Sequence, residues 1–173
     1  MDHRDNPVLQ AIRERRSIRK FTADPVDKET LKTILEAGQW APSGKNNQPW
    51  RFLVVTRDDP RMEKLAQCTE YSPIVRASAA CICVFLDKAT MYSEMKDHQG
   101  AGACIQNMLL AIHTLGLGAV WLGQIVNDQA APLAALGLSE AELELEAVIV
   151  LGHPNQKGGS KRKPLSELML EDF

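Results

Sequence analysis

The chain has 173 residues, of which 45% are hydrophobic, and its formal net charge is -2. This length and composition predict a single folded domain over residues 1–173 with a sizeable core. The near-neutral charge argues against nucleic acid as a general partner, and no apolar run approaches the roughly 20 residues that a membrane span requires. Residues 1–5 are polar and lack the features of a signal peptide, so we expect a cytoplasmic protein that does not bind membranes.

The four cysteines, Cys68, Cys81, Cys83 and Cys104, are expected to be reduced. Cys81 and Cys83 lie two residues apart in an apolar run, which places both on one face of a strand. The sequence contains neither a Cys-x-x-Cys pair nor a His-x-x-x-His spacing that would favour zinc. We therefore expect buried thiols and assign no metal ligands from the sequence.

Helix-capping residues and apolar periodicity predict the helices, and β-branched or aromatic runs predict the strands. Asn6 followed by Pro7 favours a helix start, and Asp27 is a good N-cap for a second helix. The predicted helices span residues 7–16, 27–38, 60–67, 101–117 and 132–136, with a last apolar turn at 165–169. The predicted strands are Trp50–Thr56, 79–86, a short strand within 116–123, and 147–151. Because helices and strands mingle without regular βαβ alternation, the sequence favours an α+β fold.

The predicted helix 101–117 is apolar on nearly all sides, whereas residues 91–100 before it are polar and difficult to assign. A helix of this kind should be buried on most of its surface. In a chain this short, such burial indicates a subunit interface as much as a central core helix. The pattern therefore predicts a homodimer.

A cationic segment closes the first predicted helix and leads into the extended residues 18–22. Five of the eight residues from Arg13 to Lys20 are cationic, and only Glu14 opposes them. Arginine binds phosphate or carboxylate in bidentate geometry, and Ser17 adds a neutral donor. The segment could therefore bind a phosphorylated ligand. A solvated basic face at a helix C-terminus, where cations suit the helix dipole, is the alternative.

Three further segments could contact a ligand. In the loop of residues 42–48, Asn46 and Gln48 each carry a donor and an acceptor that could bind the edge of a polar ring. Gly123 would let the backbone approach a flat ligand closely. Residues 161–163 form a second cationic cluster. Each segment also has an ordinary explanation: a connecting loop, a glycine at a strand end, and a solvated tail.

Taken in order, four motifs resemble the nitroreductase family of FMN-dependent oxidoreductases. The likeness runs from about Val8 to Leu168. The motifs are Arg-Arg-Ser-Ile-Arg-Lys-Phe, Ala-Pro-Ser-Gly-Lys-Asn-Asn-Gln-Pro-Trp, Gly-Leu-Gly-Ala-Val-Trp-Leu-Gly, and Gly-His-Pro followed by Lys-Arg-Lys-Pro-Leu. The resemblance implies an α+β sandwich, with a central antiparallel or mixed sheet flanked by helices. It also implies an intertwined homodimer with two FMN molecules at the subunit interface.

The resemblance assigns expected roles to individual residues. The residues that it implies for the FMN phosphate are Arg15, Arg16, Ser17, Arg162 and Lys163. The loop that crosses from the partner subunit is matched by Pro42, Ser43 and Asn46, with Gln48 beside them. Arg19 is similar to the cation at the N1/C2 carbonyl edge of the flavin ring. The backbone of Leu122 and Gly123 matches the stretch that faces the N5/C4 carbonyl edge.

The implied reaction is hydride transfer from NADH or NADPH, through flavin N5, to nitroaromatic, quinone or similar small-molecule acceptors by a ping-pong mechanism. The flavin carries the chemistry, so no catalytic side chain is assigned. Two departures from the family pattern are visible. Gly44 and Lys45 replace a small polar pair and add a cation, and the brief polar stretch 91–100 suggests a reduced covering segment.

Two alternatives stay open at this point. One is a reductive dehalogenase or flavin-fragmenting enzyme of the same fold, which would need a covering lid. The other is a non-catalytic protein that senses or stores FMN.

Overall fold

An antiparallel sheet lies at the centre of the computed structural model, which describes residues 5–171. Its strands are β1 (Trp50–Thr56), β2 (Ala80–Asp87), β3 (Gly118–Leu122) and β4 (Leu143–Gly152). The strand order is β1-β2-β4-β3, so β1 and β3 are the two edges. All three neighbouring pairs are antiparallel. Of the polar residues at the N-terminus, 1–4 lie outside the described part of the chain.

Helices cover both faces of this sheet. Within residues 5–171 they are α1 (Pro7–Glu14), α2 (Lys28–Gln39), α3 (Arg61–Ala66), α4 (Ser72–Ala77), α5 (Glu94–Thr114) and α6 (Ala130–Leu136). A core beneath α2 and α5 joins Ile34 and Met108 to Ile82 of β2. A second core joins Leu65 of α3 and Leu133 of α6 to the opposite face of the sheet. The predicted α+β sandwich is therefore confirmed, and none of the described helices is long and apolar enough to cross a membrane.

The alternation of side chains along β2 separates these two cores. Ile82 and Val84 face α2 and α5, whereas Cys81 and Cys83 face the other core. Both cysteines are fully buried, and all four cysteines of the chain are free. The predicted placement of Cys81 and Cys83 on one strand face is confirmed, whereas Cys68 is only partly buried, unlike the buried thiol that the sequence predicted.

Local hydrogen bonds explain where the first two helices begin. Asn6 Oδ1 accepts from the backbone N–H groups of Val8 and Leu9, at 2.9 and 3.3 Å. Asp27 Oδ1 accepts from Thr30 N–H at 2.9 Å. Each cap pairs an otherwise unsatisfied donor of the first helical turn, as the sequence predicted.

Helix α5 begins at Glu94, earlier than the predicted residue 101. Asp97 Oδ2 accepts from the N–H groups of Tyr92 and Ser93, at 2.9 and 2.8 Å, and so ties the preceding turn to the helix. The first two turns of α5 are mostly polar, so the spacing of apolar residues did not indicate that the helix starts there. Leu115, just after the helix, is 44% exposed, so this chain alone does not bury the whole apolar surface predicted for residues 101–117.

Two further elements differ from the sequence prediction. The six-residue helix α4 was missed because it is too short to show helical periodicity. Strand β4 starts at Leu143 rather than at residue 147. The alternation of Leu143 and Leu145 with Glu144 and Glu146 was a visible strand signal that the prediction did not use.

Residues 15–22, here called the N-terminal arm, cross the ends of β3 and β4. Ile18 N–H donates to Ala119 O and Thr22 N–H donates to His153 O, both at 2.9 Å. Ser17 and Ala119 form an isolated parallel bridge. Gly118 permits this approach, since a Cβ there would lie 2.8 Å from Ile18 Cβ.

Gly118→Ala should therefore lower the free energy of unfolding by about 1–3 kcal/mol, as expected for overpacking against a stiff β-branched side chain. Urea unfolding measures the change. Gly159→Ala is the matched control, because a Cβ at Gly159 meets no atom within 4 Å. Equal stabilities of the two variants would contradict the close contact between Gly118 and Ile18.

Candidate functional site

Three arginines form a cation cluster at the end of α1: Arg15, Arg16 and Arg162. Arg15 is the C-cap of α1 and is partly buried. Burial lowers the pKa of Arg15, and the positive charges of Arg162 and Arg16 lower it further. In the described residues 5–171, no carboxylate lies within 4 Å of these guanidinium groups, whereas several other arginines have such partners. The cluster is therefore electrostatically suited to an anion.

The C-terminal tail reaches this cluster because Gly158, which has no side chain, can lie directly against Arg16. Asn155 N–H donates to Lys20 O at 2.9 Å, which fixes the start of the tail beside the N-terminal arm. A Cβ at Gly158 would collide with the Cβ of Arg16, so only glycine fits at this point. The tail then continues to the exposed Arg162 and Lys163. Two cationic motifs that are far apart in the sequence are thus brought together.

A cleft of about 300 Å³ opens beside the cation cluster. Its wall combines Arg15 and Arg16 with the apolar Ile18 and Leu117 and with Gly116 and Gly158. Glu14 also lines the cleft, and its carboxylate accepts a hydrogen bond from Gln10 Nε2 at 3.0 Å. The third sequence motif begins at Gly116, whose φ of 77° lies in the left-handed region. The sequence did not indicate that Leu109, Ile112 and His113 of α5 also line the cleft.

Ser17 and Arg19 flank the point where the arm meets β3. Ser17 is partly buried, while Arg19 is exposed. Arg19 forms none of the ion pairs in the described part of the chain, so no carboxylate lies within 4 Å of its guanidinium group. Its backbone lies between the hydrogen-bonded Ile18 and Lys20, so the position of its Cα is fixed while its side chain stays accessible.

Leu122 and Gly123 lie at the far end of β3 from the arm. Leu122 is buried, Gly123 is exposed, and a Cβ at Gly123 would come no closer than 3.9 Å to its nearest neighbour, Trp121 Nε1. At a strand rise of about 3.3 Å per residue, Gly123 lies roughly 13 Å from Ala119. The cation cluster and this open backbone therefore define the two ends of one sheet edge.

The loop of residues 42–48 has an unusual backbone. Lys45, Asn46 and Gln48 have φ values of 54°, 54° and 49°. These lie in the left-handed region, which residues other than glycine rarely adopt. Ser43 Oγ accepts from Gln48 N–H at 3.0 Å, and Gln48 Nε2 donates to Asn46 O at 3.1 Å. These bonds hold a strained loop in one shape, a property frequent at ligand sites.

Within one chain, the 42–48 loop and the cation cluster lie apart. The loop packs on α5 near Gly100, where a Cβ would lie 3.5 Å from Pro42 O, whereas the cleft contacts α5 at His113. At 1.5 Å rise per residue, these points are about 20 Å apart. The loop also enters β1, while the arm lies on β3 at the opposite edge, three strand spacings or about 14 Å away.

The residues singled out from the sequence therefore fall into two groups. The group on the β3 side comprises Arg15, Arg16, Ser17, Arg19, Leu122, Gly123, Arg162 and Lys163. The group on the β1 side comprises Pro42, Ser43, Asn46 and Gln48. One copy of the chain does not join them.

Comparison with known proteins identifies the family. A model of the nitroreductase family matches residues 12–70 and 59–153. A relative from Methanothermobacter thermautotrophicus, provisionally named NADH dehydrogenase/NAD(P)H nitroreductase, is 34% identical over 89% of this chain and 81% of its own length. The chain therefore belongs to the nitroreductase family.

Two solved structures are similar to the whole chain. One, from Desulfovibrio desulfuricans, is described as a candidate nitroreductase in complex with FMN; it is 59% identical, covers 98% of both chains and has a TM-score of 0.96. The other is the NADPH:FMN oxidoreductase of Vibrio harveyi complexed with NAD+, which is 30% identical and has a TM-score of 0.85. That match covers 97% of this chain and 78% of the Vibrio chain.

Proposed function

We propose that this protein is an FMN-dependent oxidoreductase that passes hydride from NADH or NADPH to nitroaromatic, quinone or similar small acceptors. The observation that carries the proposal is the cation cluster beside a cleft, without a carboxylate partner in the described residues, in a chain of the nitroreductase family. The FMN and NAD+ in the related crystal structures support the choice of cofactor and donor.

The cation cluster and its surroundings suit the FMN phosphate. Arg15, Arg16 and Arg162 supply positive charge, and Lys163 extends it along the exposed tail. Ser17 offers a hydroxyl donor at the same end of β3. A phosphate here would replace the mutual repulsion of the arginines by charge-assisted hydrogen bonds.

The remaining residues on the β3 edge suit a flat, polar ring. We assign the backbone of Leu122 and Gly123 to its N5/C4 carbonyl edge, because the absence of a side chain at Gly123 leaves that backbone open. We assign the exposed Arg19 to the N1/C2 carbonyl edge, where a cation stabilises negative charge during reduction. FMN, when bound, supplies the hydride transfer itself, and the side chains position it and tune its potential.

A second copy of the chain would supply the 42–48 loop. Several apolar residues near α1 and α5 are exposed in one copy, and burying them would favour dimer formation. They include Val8 (60% exposed), Ile12 (49%) and Leu115 (44%). In such a homodimer, Pro42, Ser43, Asn46 and Gln48 of one copy would complete the site on the other.

The short connection between β2 and α5 supports broad acceptor choice. Only residues 88–93 join these elements, and they contain no covering helix. A site of this kind would release oxidised nicotinamide before the acceptor binds in the same place, which is the basis of the proposed ping-pong order. The arrangement offers less support for a dehalogenase that encloses its substrate under a lid.

The function is tested with purified protein supplied with FMN. We expect about one FMN per chain and acceptor-dependent NADH or NADPH oxidation with parallel initial-rate patterns, the signature of ping-pong kinetics. Failure to bind FMN would overturn the proposal. Binding without turnover by either nicotinamide would instead identify a sensor or storage protein.

The composite site is tested with mixed dimers. One chain carries Arg15→Ala and Arg162→Ala, and the other carries Ser43→Ala and Asn46→Ala. If each site uses both copies, the mixed dimer has one intact site and one doubly altered site, so it should bind about half the FMN of the parent. Both variant homodimers should bind poorly. A monomer by light scattering, or mixed dimers no better than the variant homodimers, would rule out the shared site.

Arg15→Ala should weaken FMN binding by about 1.5–3 kcal/mol, the usual cost of losing a charged hydrogen bond, or roughly 10- to 150-fold in Kd. Fluorescence titration of FMN measures the change. Arg13→Ala is the matched control, since Arg13 lies on the exposed last turn of α1 and only its backbone carbonyl contacts Arg16. An unchanged Kd for Arg15→Ala would remove Arg15 from the phosphate site.

A further inference from the structure

A histidine and two glutamates converge between α5 and β4, away from the cation cluster. His98 Nδ1 lies 2.9 Å from Glu146 Oε1, and His98 Nε2 lies 3.7 Å from Glu144 Oε1. One ligand atom from each residue can be chosen so that all three lie within 4.8 Å of one another. His98 and the cleft-lining His113 both lie on α5, and their separation along the helix is about 22 Å.

An irregularity in the sheet aims both carboxylates at α5. Glu144 and Glu146 are two residues apart, which places them on one face of β4. The register between β2 and β4 shifts at this point: Phe85 lies opposite Leu145, but Val84 lies opposite Ala147. Glu146 is therefore an extra residue on β4, and such bulges redirect side chains.

A third carboxylate lies near the histidine. Glu94 is four residues before His98 on α5, so both side chains project from the same helix face. The hydrogen bond that His98 donates to Glu146 raises the pKa of His98, and the charges of Glu146, Glu144 and Glu94 add to this effect against the opposing influence of burial. Glu94 therefore adds negative charge near the cluster, but its carboxylate is not one of the three groups whose ligand atoms converge.

The cluster carries more negative charge than its histidine can balance. In residues 5–171, no lysine or arginine nitrogen lies within 4 Å of the carboxylates of Glu94, Glu144 or Glu146. Even a protonated His98 would leave an excess of two negative charges. The side chain of Glu146 is only 12% exposed, so water screens this excess poorly.

We propose that His98, Glu144 and Glu146 bind a divalent transition-metal cation. Imidazole combined with carboxylates suits Zn²⁺, Mn²⁺ or Fe²⁺. Ligand atoms around tetrahedral zinc lie about 3.4 Å apart, given bonds of about 2.1 Å. With one atom taken from each residue, the three ligand atoms lie within 4.8 Å of one another, so the side chains must close by up to about 1.4 Å to reach this value.

The ion would fasten the start of α5 to β4. This role is separate from hydride transfer and does not depend on the proposed function. The sequence did not indicate these metal ligands, because His98 is far from Glu144 and Glu146 along the chain. The three residues therefore form no short ligand motif that a sequence would show.

Cysteine is a weak competitor for zinc in this protein. Burial raises the pKa of Cys81 and of Cys104 to about 12, and it raises the pKa of Cys83 as well. Thiolates, the form that binds metal, are therefore scarce at neutral pH. Burial also raises the pKa of the more accessible Cys68. Zinc binding measured by titration should consequently occur at the His98 cluster rather than at a cysteine.

The test is calorimetric titration of the full-length, FMN-loaded protein with Zn²⁺ after dialysis against a chelator. We expect about one Zn²⁺ per chain and a rise in the thermal unfolding midpoint when Zn²⁺ is present. His98→Gln and Glu146→Gln should each weaken Zn²⁺ binding at least tenfold, and should lose the rise in midpoint. Glu142→Gln, an exposed position just before β4, is the matched control and should bind Zn²⁺ like the parent.

Absence of Zn²⁺ binding by the parent overturns the proposal, as does unchanged affinity in both variants. If His98→Gln does not fold, Glu144→Gln provides the same comparison, since the side chain of Glu144 is 32% exposed whereas that of Glu146 is 12% exposed. Circular dichroism of each variant without zinc establishes that the fold is retained.

Discussion

The close packing of the N-terminal arm on three glycines is the constraint on which the proposed site depends. Ile18 lies against Gly118, Phe21 against Gly152, and Arg16 against Gly158. These contacts leave no room for a Cβ on the glycines without displacement of the arm. They hold the end of α1, the edge of the sheet and the C-terminal tail in one place. The three arginines are neighbours because the backbone approaches so closely here.

Charge is used differently at this site than elsewhere in the molecule. Arg51, Arg61 and Arg76 each pair with a carboxylate at 2.6–2.8 Å. Arg57 donates to four backbone carbonyls, including Ala23 O at 2.6 Å and Ser78 O at 2.9 Å, and thereby ties the end of the arm to the end of α4. These arginines stabilise the fold. The clustered arginines repel one another and reduce stability until an anion binds, which is the usual compromise at functional sites.

The sequence predicted much of the fold because the signals were local. The caps at Asn6 and Asp27 and the apolar runs of β1 and β2 each depend on a few adjacent residues. The start of α5 was misplaced because Asp97 acts through its folded contacts with Tyr92 and Ser93. For the site, the resemblance indicated which residues to consider and that the 42–48 loop crosses from the partner subunit, but the motifs alone do not give the distance between this loop and Arg15 in one chain. That separation arises from strand order and helix length, which no short motif encodes.

The arm also has a consequence for how the chain is made. Its hydrogen-bond acceptors, Ala119 O and His153 O, belong to the last two strands, and His153 Nε2 lies 3.2 Å from Pro25 O, 128 residues away in sequence. Contacts between such distant residues close large loops and form slowly. During synthesis the arm leaves the ribosome about a hundred residues or more before its docking surface, since its acceptors are Ala119 and His153. A nascent chain therefore carries an undocked cationic arm until β3 and β4 have been translated.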